Sequence, residues 1–75
     1  MNMKYCVSIN NHLEEYRKKN NYTVIELAKF ADTTVNTIEK IESGEFVPPL
    51  VLCLLLSTIL ECSIEDIWEL KEVKF

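Results

Sequence analysis

The sequence predicts an all-α domain built from five short helices. Apolar residues recur at helical spacing, helix-capping residues stand before most of those runs, and the only glycine falls just past the end of one of them. Ile9, Leu13 and Tyr16, at i, i+4 and i+7, mark a first helix that ends at Asn20-Asn21, where asparagine tolerates a left-handed cap. The second helix starts at Thr23, which can cap it while Glu26 returns the hydrogen bond and Tyr22 staples onto Leu27; it runs to about Ala31. Asp32-Thr33 makes a tight turn, and Thr34 is the N-cap of a third helix through Ile38, Ile41 and Glu42. Gly44 follows it, where a positive φ is needed. Pro48-Pro49 forces an extended lead into a helix over 50–60, and Ser63-Ile64-Glu65-Asp66 caps a last short helix bearing Ile67 and Trp68. Only "KYCVSI" offers a short strand as an alternative, and no repeat or low-complexity segment interrupts the pattern.

At 75 residues the chain is expected to form a single domain over 1–75, with an N-terminal arm at 1–8 and a C-terminal tail at 71–75. That size is near the limit for one core without disulfides or metal, so a large apolar face left over points to a partner. Cys6, Cys53 and Cys62 form no CxxC pair and read as small buried hydrophobes in a reducing compartment. His12 has no Glu or Cys companion at ligand spacing, so no metal site is expected. No nucleophile, base and orienting group converge, no small-molecule substrate is evident, and neither enzymatic activity nor a cofactor is expected. The opening "MNMKYCVSINN" does not read as a signal peptide. "LVLCLLLSTIL" is far shorter than the about 20 residues that cross a bilayer. A cytoplasmic location without membrane association is therefore expected.

The net charge of −4 argues against a generic basic nucleic-acid binder, but it hides an asymmetry. Residues 1–40 hold six Lys/Arg against five Asp/Glu, and residues 41–75 hold two against seven. A surface that meets phosphate must come from the first half.

Two short helices joined at Asp32-Thr33 form a helix-turn-helix pattern, which alone is weak, because apolar residues at helical spacing are more often plain core. The full string "TVIELAKFADTTVNTIEKIESGEFVPPL" followed by "LECSIEDIWEL" carries more. Over about residues 9–70 it closely resembles the Cro/C1-type helix-turn-helix family of phage and bacterial regulators. The resemblance implies a compact, five-helix, lambda-repressor-like DNA-binding domain with its helix-turn-helix at about residues 23–42. It implies a recognition helix at 34–42 with Thr34, Val35, Asn36, Thr37 and Lys40 facing the bases of the major groove. It implies phosphate contacts from the start of helix 23–31 at Thr23 and from the turn at Ser43 and Gly44, through backbone N–H groups. Lys18, Lys19 and Lys29 are the accompanying basic phosphate contacts. Arg17 and Glu42 match a pair that in this family often forms a buried salt bridge. Localisation with the nucleoid follows from the same resemblance.

Several positions depart from the family. Val24 stands where a polar residue, often Gln, contacts DNA. Val35 replaces a frequent Arg or Gln and can only pack on a thymine methyl. Asp32 occupies the usual turn glycine, and Glu45 replaces a common Lys. Asn36 keeps the chemistry for a bidentate contact to adenine, and Lys40 for guanine or phosphate; the plainer alternative for both is an ordinary solvated helix residue.

"PPLVLCLLLSTIL" is more apolar than one helix face requires. With Leu50, Cys53, Leu54 and Leu56 to Leu60 in part toward the core, Val51, Leu55 and Thr58 fall on the opposite side. Val51 and Leu55, extended by Trp68, Leu70, Val73 and Phe75, are expected to form a dimer or partner interface. A tail folded back within one subunit is the alternative. Two functions follow. The first is a sequence-specific regulator of double-stranded DNA, a repressor acting as a homodimer on a near-palindromic operator. The second is a protein-interaction module on the same scaffold: an antirepressor, an antitoxin-like subunit or a regulator's partner.

Overall fold

The computed structural model describes residues 7–73. Five helices stand between two strands: β1 (Val7–Asn11), α1 (Leu13–Lys19), α2 (Val24–Phe30), α3 (Val35–Ser43), α4 (Leu50–Ile59), α5 (Ile64–Ile67) and β2 (Trp68–Val73). The five expected helices are present, and a two-stranded sheet joins them.

Caps fix the helix starts. Thr23 and Glu26 exchange both hydrogen bonds, Glu26 N–H to Thr23 Oγ1 at 3.0 Å and Thr23 N–H to Glu26 Oε1 at 2.9 Å. Ser63 and Asp66 do the same at the head of α5, so two otherwise orphaned donors are satisfied at each place. Among the described residues three non-glycine residues take positive φ, and each sits where a helix ends: Asn21 (61°), Asp32 (53°) and Glu61 (54°). Gly44 (85°) closes α3, and its successor's N–H reaches back to Lys40 O at 2.9 Å. A Cβ added at Gly44 would meet nothing within 4 Å, so the backbone torsion rather than crowding calls for glycine there.

The core is one cluster drawn from every helix. Leu13, Leu27, Ile38, Ile41, Leu56, Leu60 and Ile67 are fully buried, with Ala28 and Ala31 in the same cluster. Each large side chain contributes about 1.5–3 kcal/mol by leaving water. Tyr22 packs on this cluster, and its ring meets Phe30 edge to face at 5.6 Å. Cys53 is buried and Cys62 half-buried; burial pushes both thiols up, which makes them poor nucleophiles. Cys6 lies outside the described residues.

The sheet corrects the sequence reading at both ends. Ile9 was expected one turn before Leu13 on the first helix, but it lies in β1, and α1 begins only at Leu13. Trp68 was expected on the last helix, but it takes extended torsions and opens β2. Residues 7–8 of the expected arm and 72–73 of the expected tail pair in the same antiparallel ladder, Val7 opposite Val73 and Asn11 opposite Trp68. A register shift between Ser8 and Ile9 leaves Lys71 as the extra residue. The spacing of Ile9 matched a helix by coincidence, and strand pairing across some sixty residues of chain leaves no local signature.

One polar cluster ties the sheet to α1. His12 Nδ1 lies 3.0 Å from Glu15 Oε1 and its Nε2 2.9 Å from Glu69 Oε1, while the His12 N–H donates to Ile67 O at 2.8 Å. His12 thus has two carboxylate companions, one distant in sequence, where its spacing suggested none. Asn11 Oδ1 accepts from Leu13 N–H at 2.9 Å, and its Nδ2 donates to Ile41 O, so the strand end is sewn to both α1 and α3.

The hydrogen bonds to Glu69, then to Glu15, hold the His12 imidazole above its ordinary 6.5. His12, then Asn10, holds the Glu69 carboxyl below its ordinary 4.5. A raised histidine stabilises the fold fully below about 6.5 and loses that contribution as pH rises through its folded value; the depressed carboxylate acts in the opposite sense at the acid end. Thermal unfolding should show stability falling as pH rises above about 6.5, with this slope reduced in His12→Ala. An identical slope in the variant would show that the cluster does not couple to folding.

Candidate nucleic-acid interface

The face of α3 follows from its buried side. Ile38 and Ile41 are fully buried, which turns Asn36 and Lys40, one helical turn apart, outward on one row. Both are exposed, and Lys40 makes no ion pair among the described residues. Val35 is 37% exposed at the first turn. Thr34 caps the helix by accepting from Thr37 N–H at 3.1 Å, and the Thr34 and Thr37 hydroxyls lie 2.8 Å apart. Both hydroxyls are therefore committed to the helix start, and Thr37 is half-buried. Asn36 and Lys40 are the two groups of the expected set whose hydrogen-bonding capacity is unspent among the described residues.

The orientation of α3 is set by Arg17. Its Nε donates to Glu42 Oε2 at 2.6 Å and its Nη2 to Glu42 Oε1 at 3.2 Å, while Nη1 donates to Tyr22 O at 3.0 Å. One guanidinium thus joins α1, the α1–α2 turn and the last turn of α3. The two side chains are 9% and 10% exposed, and Glu42 holds the Arg17 guanidinium above its ordinary range. Planar two-point contact is the geometry that repays the desolvation of such a pair.

Beside the pair lies an open cleft of about 390 Å³ lined by Glu14, Arg17, Val24, Glu39, Glu42 and Ser43. Glu39 stands on its rim, on the Val35 side of the Asn36–Lys40 row. Asp32 occupies the turn with left-handed torsions. Glu45 is exposed just past Gly44, beside Ser43, whose hydroxyl donates to Lys40 O at 3.0 Å.

The remaining cations of the expected set lie on α1 and α2. Lys18 is 3.6 Å from Glu14, Lys19 lies 5.5 Å above the Tyr16 ring, and Lys29 is exposed on α2 without an ion pair among the described residues. Thr23 heads α2, with its hydroxyl and N–H both engaged by Glu26.

The expected apolar interface divides. Val51 is 77% exposed and Leu55 is exposed beside it on α4. Leu50 and Leu54, read as facing the core in part, are exposed as well, so the apolar face is wider than the sequence reading made it. Trp68 is half-buried against the core, whereas Leu70 is exposed and pairs with exposed Ile9 on the sheet. Val73 lies opposite Val7 in the ladder, and Phe75 lies outside the described residues. The sequence reading missed Leu50 and Leu54 because every α4 position but two is apolar, so the pattern carries no phase.

Among the described residues no helix is long and apolar enough to cross a membrane, and no group of three or more His, Cys, Asp or Glu side chains is placed to hold a metal ion. A family model described as helix-turn-helix matches residues 13–67. No curated protein matches the chain.

Removing one partner of the Arg17–Glu42 pair leaves a buried charge. Glu42→Ala should cost about 3–5 kcal/mol in urea unfolding, and replacing both residues by apolar ones of similar size should recover most of that. Equal losses in the single and double variants would show that the pair does not act as a unit.

Proposed function

Because this chain belongs to the Cro/C1-type helix-turn-helix family of DNA-binding regulators, we propose that it is a sequence-specific regulator of double-stranded DNA, a repressor that acts as a homodimer on a near-palindromic operator. The observation that carries this reading is the Asn36–Lys40 row, held outward and unobstructed by the burial of Ile38 and Ile41 and by the Arg17 clamp. Two copies of α3 enter successive major grooves about 34 Å apart. Asn36 offers a donor and an acceptor to adenine, Lys40 donates to guanine or to phosphate, and Val35 packs on a thymine methyl. Thr34 and Thr37 line the groove with their methyl groups, since their hydroxyls serve the cap.

Phosphates are met by Lys18, Lys19 and Lys29 and by backbone N–H groups. At α2 the Thr23 N–H is engaged by Glu26, so the first N–H groups inside the helix are the ones that face the strand. Ser43 and Gly44 bring the backbone close at the other end of α3. Glu45 opposes this approach, and the other three carboxylates of the segment are placed in the turn, in the ion pair and on the cleft rim.

The second reading, a protein-interaction module, is favoured by one observation, the exposed apolar face of α4. The two readings differ in salt dependence. With about six phosphate contacts per dimer, log affinity should fall against log salt with a slope near −5, and a randomised-site selection should return paired half-sites. Asn36→Ala should weaken binding to the selected site by about 1–3 kcal/mol per half-site and relax an adenine preference. Glu45→Lys should strengthen binding to all sequences alike and steepen the salt slope. A slope near zero without sequence preference would leave the interaction module.

A further inference from the structure

The helix α4 carries a broad exposed apolar face, and the inference drawn from it rests on the homodimer reading above. At about 100° per residue, Leu50, Leu54, Thr58, Val51 and Leu55 occupy one continuous arc of about 140°. Leu50, Val51, Leu54 and Leu55 are exposed along it, while Cys53, Leu56, Ser57 and Leu60 hold the opposite side in the core. The one polar residue of the arc spends its hydrogen bond inward: Thr58 Oγ1 donates to Leu54 O at 2.8 Å, which leaves its methyl group as the outward surface. The four apolar side chains expose roughly 400 Å², comparable with the largest apolar patch of a whole monomer and a suitable centre for the roughly 800 Å² that each partner of a stable dimer contributes.

Charge selects the occupant. No charged residue occurs between Glu45 and Glu61, although residues 41–75 otherwise carry seven acids against two bases. Two copies of an acidic chain repel wherever their acidic surfaces meet, and α4 is, among the described residues, the one helix that carries no charge. The face also offers no group with which to recognise a charged partner. A self-complementary apolar stripe without ionic features fits a two-fold contact, in which the same patch serves both subunits. The exposed Ile9–Leu70 pair on the sheet is a smaller patch, adjoined in sequence by Lys71 and Glu72.

We infer that α4 pairs antiparallel with α4 of a second copy of this chain, with the two-fold axis passing beside Leu54. Leu54, midway between Leu50 and Thr58, then meets its own counterpart, and Val51 of one copy faces Leu55 and Thr58 of the other.

The test is the solution mass of the full chain by sedimentation. The unmodified chain should be a dimer at micromolar concentration. Leu54→Glu, at an exposed position, should unfold as cooperatively as the parent yet raise the dimer dissociation constant by roughly a hundredfold. Leu70→Glu should leave it unchanged. An equimolar mixture of Leu54→Glu and Leu54→Lys chains should associate where neither does alone, a rescue that a folding defect could not produce. A monomeric parent, dissociation by Leu70→Glu but not by Leu54→Glu, or a mixture that stays monomeric would each overturn the assignment. The DNA reading fails separately: it is lost if the dimeric parent selects no sequence, whereas a Leu54→Glu monomer that keeps a half-site preference retains it.

Discussion

The arrangement depends most on the Arg17–Glu42 pair. A domain of this size has few residues to spare for fixing the angle between helices, and apolar packing of Ile38 and Ile41 alone allows some rotation of α3. A guanidinium held at three of its nitrogens, by the Glu42 carboxylate and the Tyr22 carbonyl, does not. It sets α3 against α1 and the α1–α2 turn at once, and the same contact neutralises a carboxylate on the helix proposed to approach DNA. The buried charge pair thus contributes orientation, and the core contributes most of the stability.

This resolves much of the apparent conflict between an acidic segment and a polyanionic ligand. Four carboxylates lie between Asp32 and Glu45, but their number matters less than their directions. Asp32 is consumed by a left-handed turn, Glu42 by Arg17, and Glu39 lines the cleft beside that pair. Only Glu45 stands next to the backbone that the proposed complex brings toward phosphate. The outward row of α3 is left with one amide and one ammonium, the donors that the proposed complex uses.

Much of this was legible in the sequence because its carriers are local. The Thr23–Glu26 and Ser63–Asp66 boxes, the Thr34 cap and the Gly44 stop each act over a few residues, and each is found where spacing put it. Of the sheet, "KYCVSI" offered part of the first strand as an alternative, but the pairing was not legible, because Ile9 and Leu70 are neighbours only after five helices have closed the chain. The His12 cluster is local only in part: Glu15 lies three residues away, whereas Glu69 is brought to the ring by the fold. The width of the α4 face was hidden differently: a segment apolar at nearly every position shows burial by composition but not by phase, and only the packed helix tells Leu50 from Cys53.

The proposed function turns on the contact of Asn36 and Lys40 of α3 with base edges. It is tested most directly by following backbone and side-chain amide resonances while a duplex bearing a selected site is added. The largest shifts should fall on the Asn36 side-chain amide, on residues 34–40 and on the first turn of α2, with α4 unaffected beyond what the dimer already shows. Shifts centred on α4 or the sheet, with α3 unchanged, would contradict it.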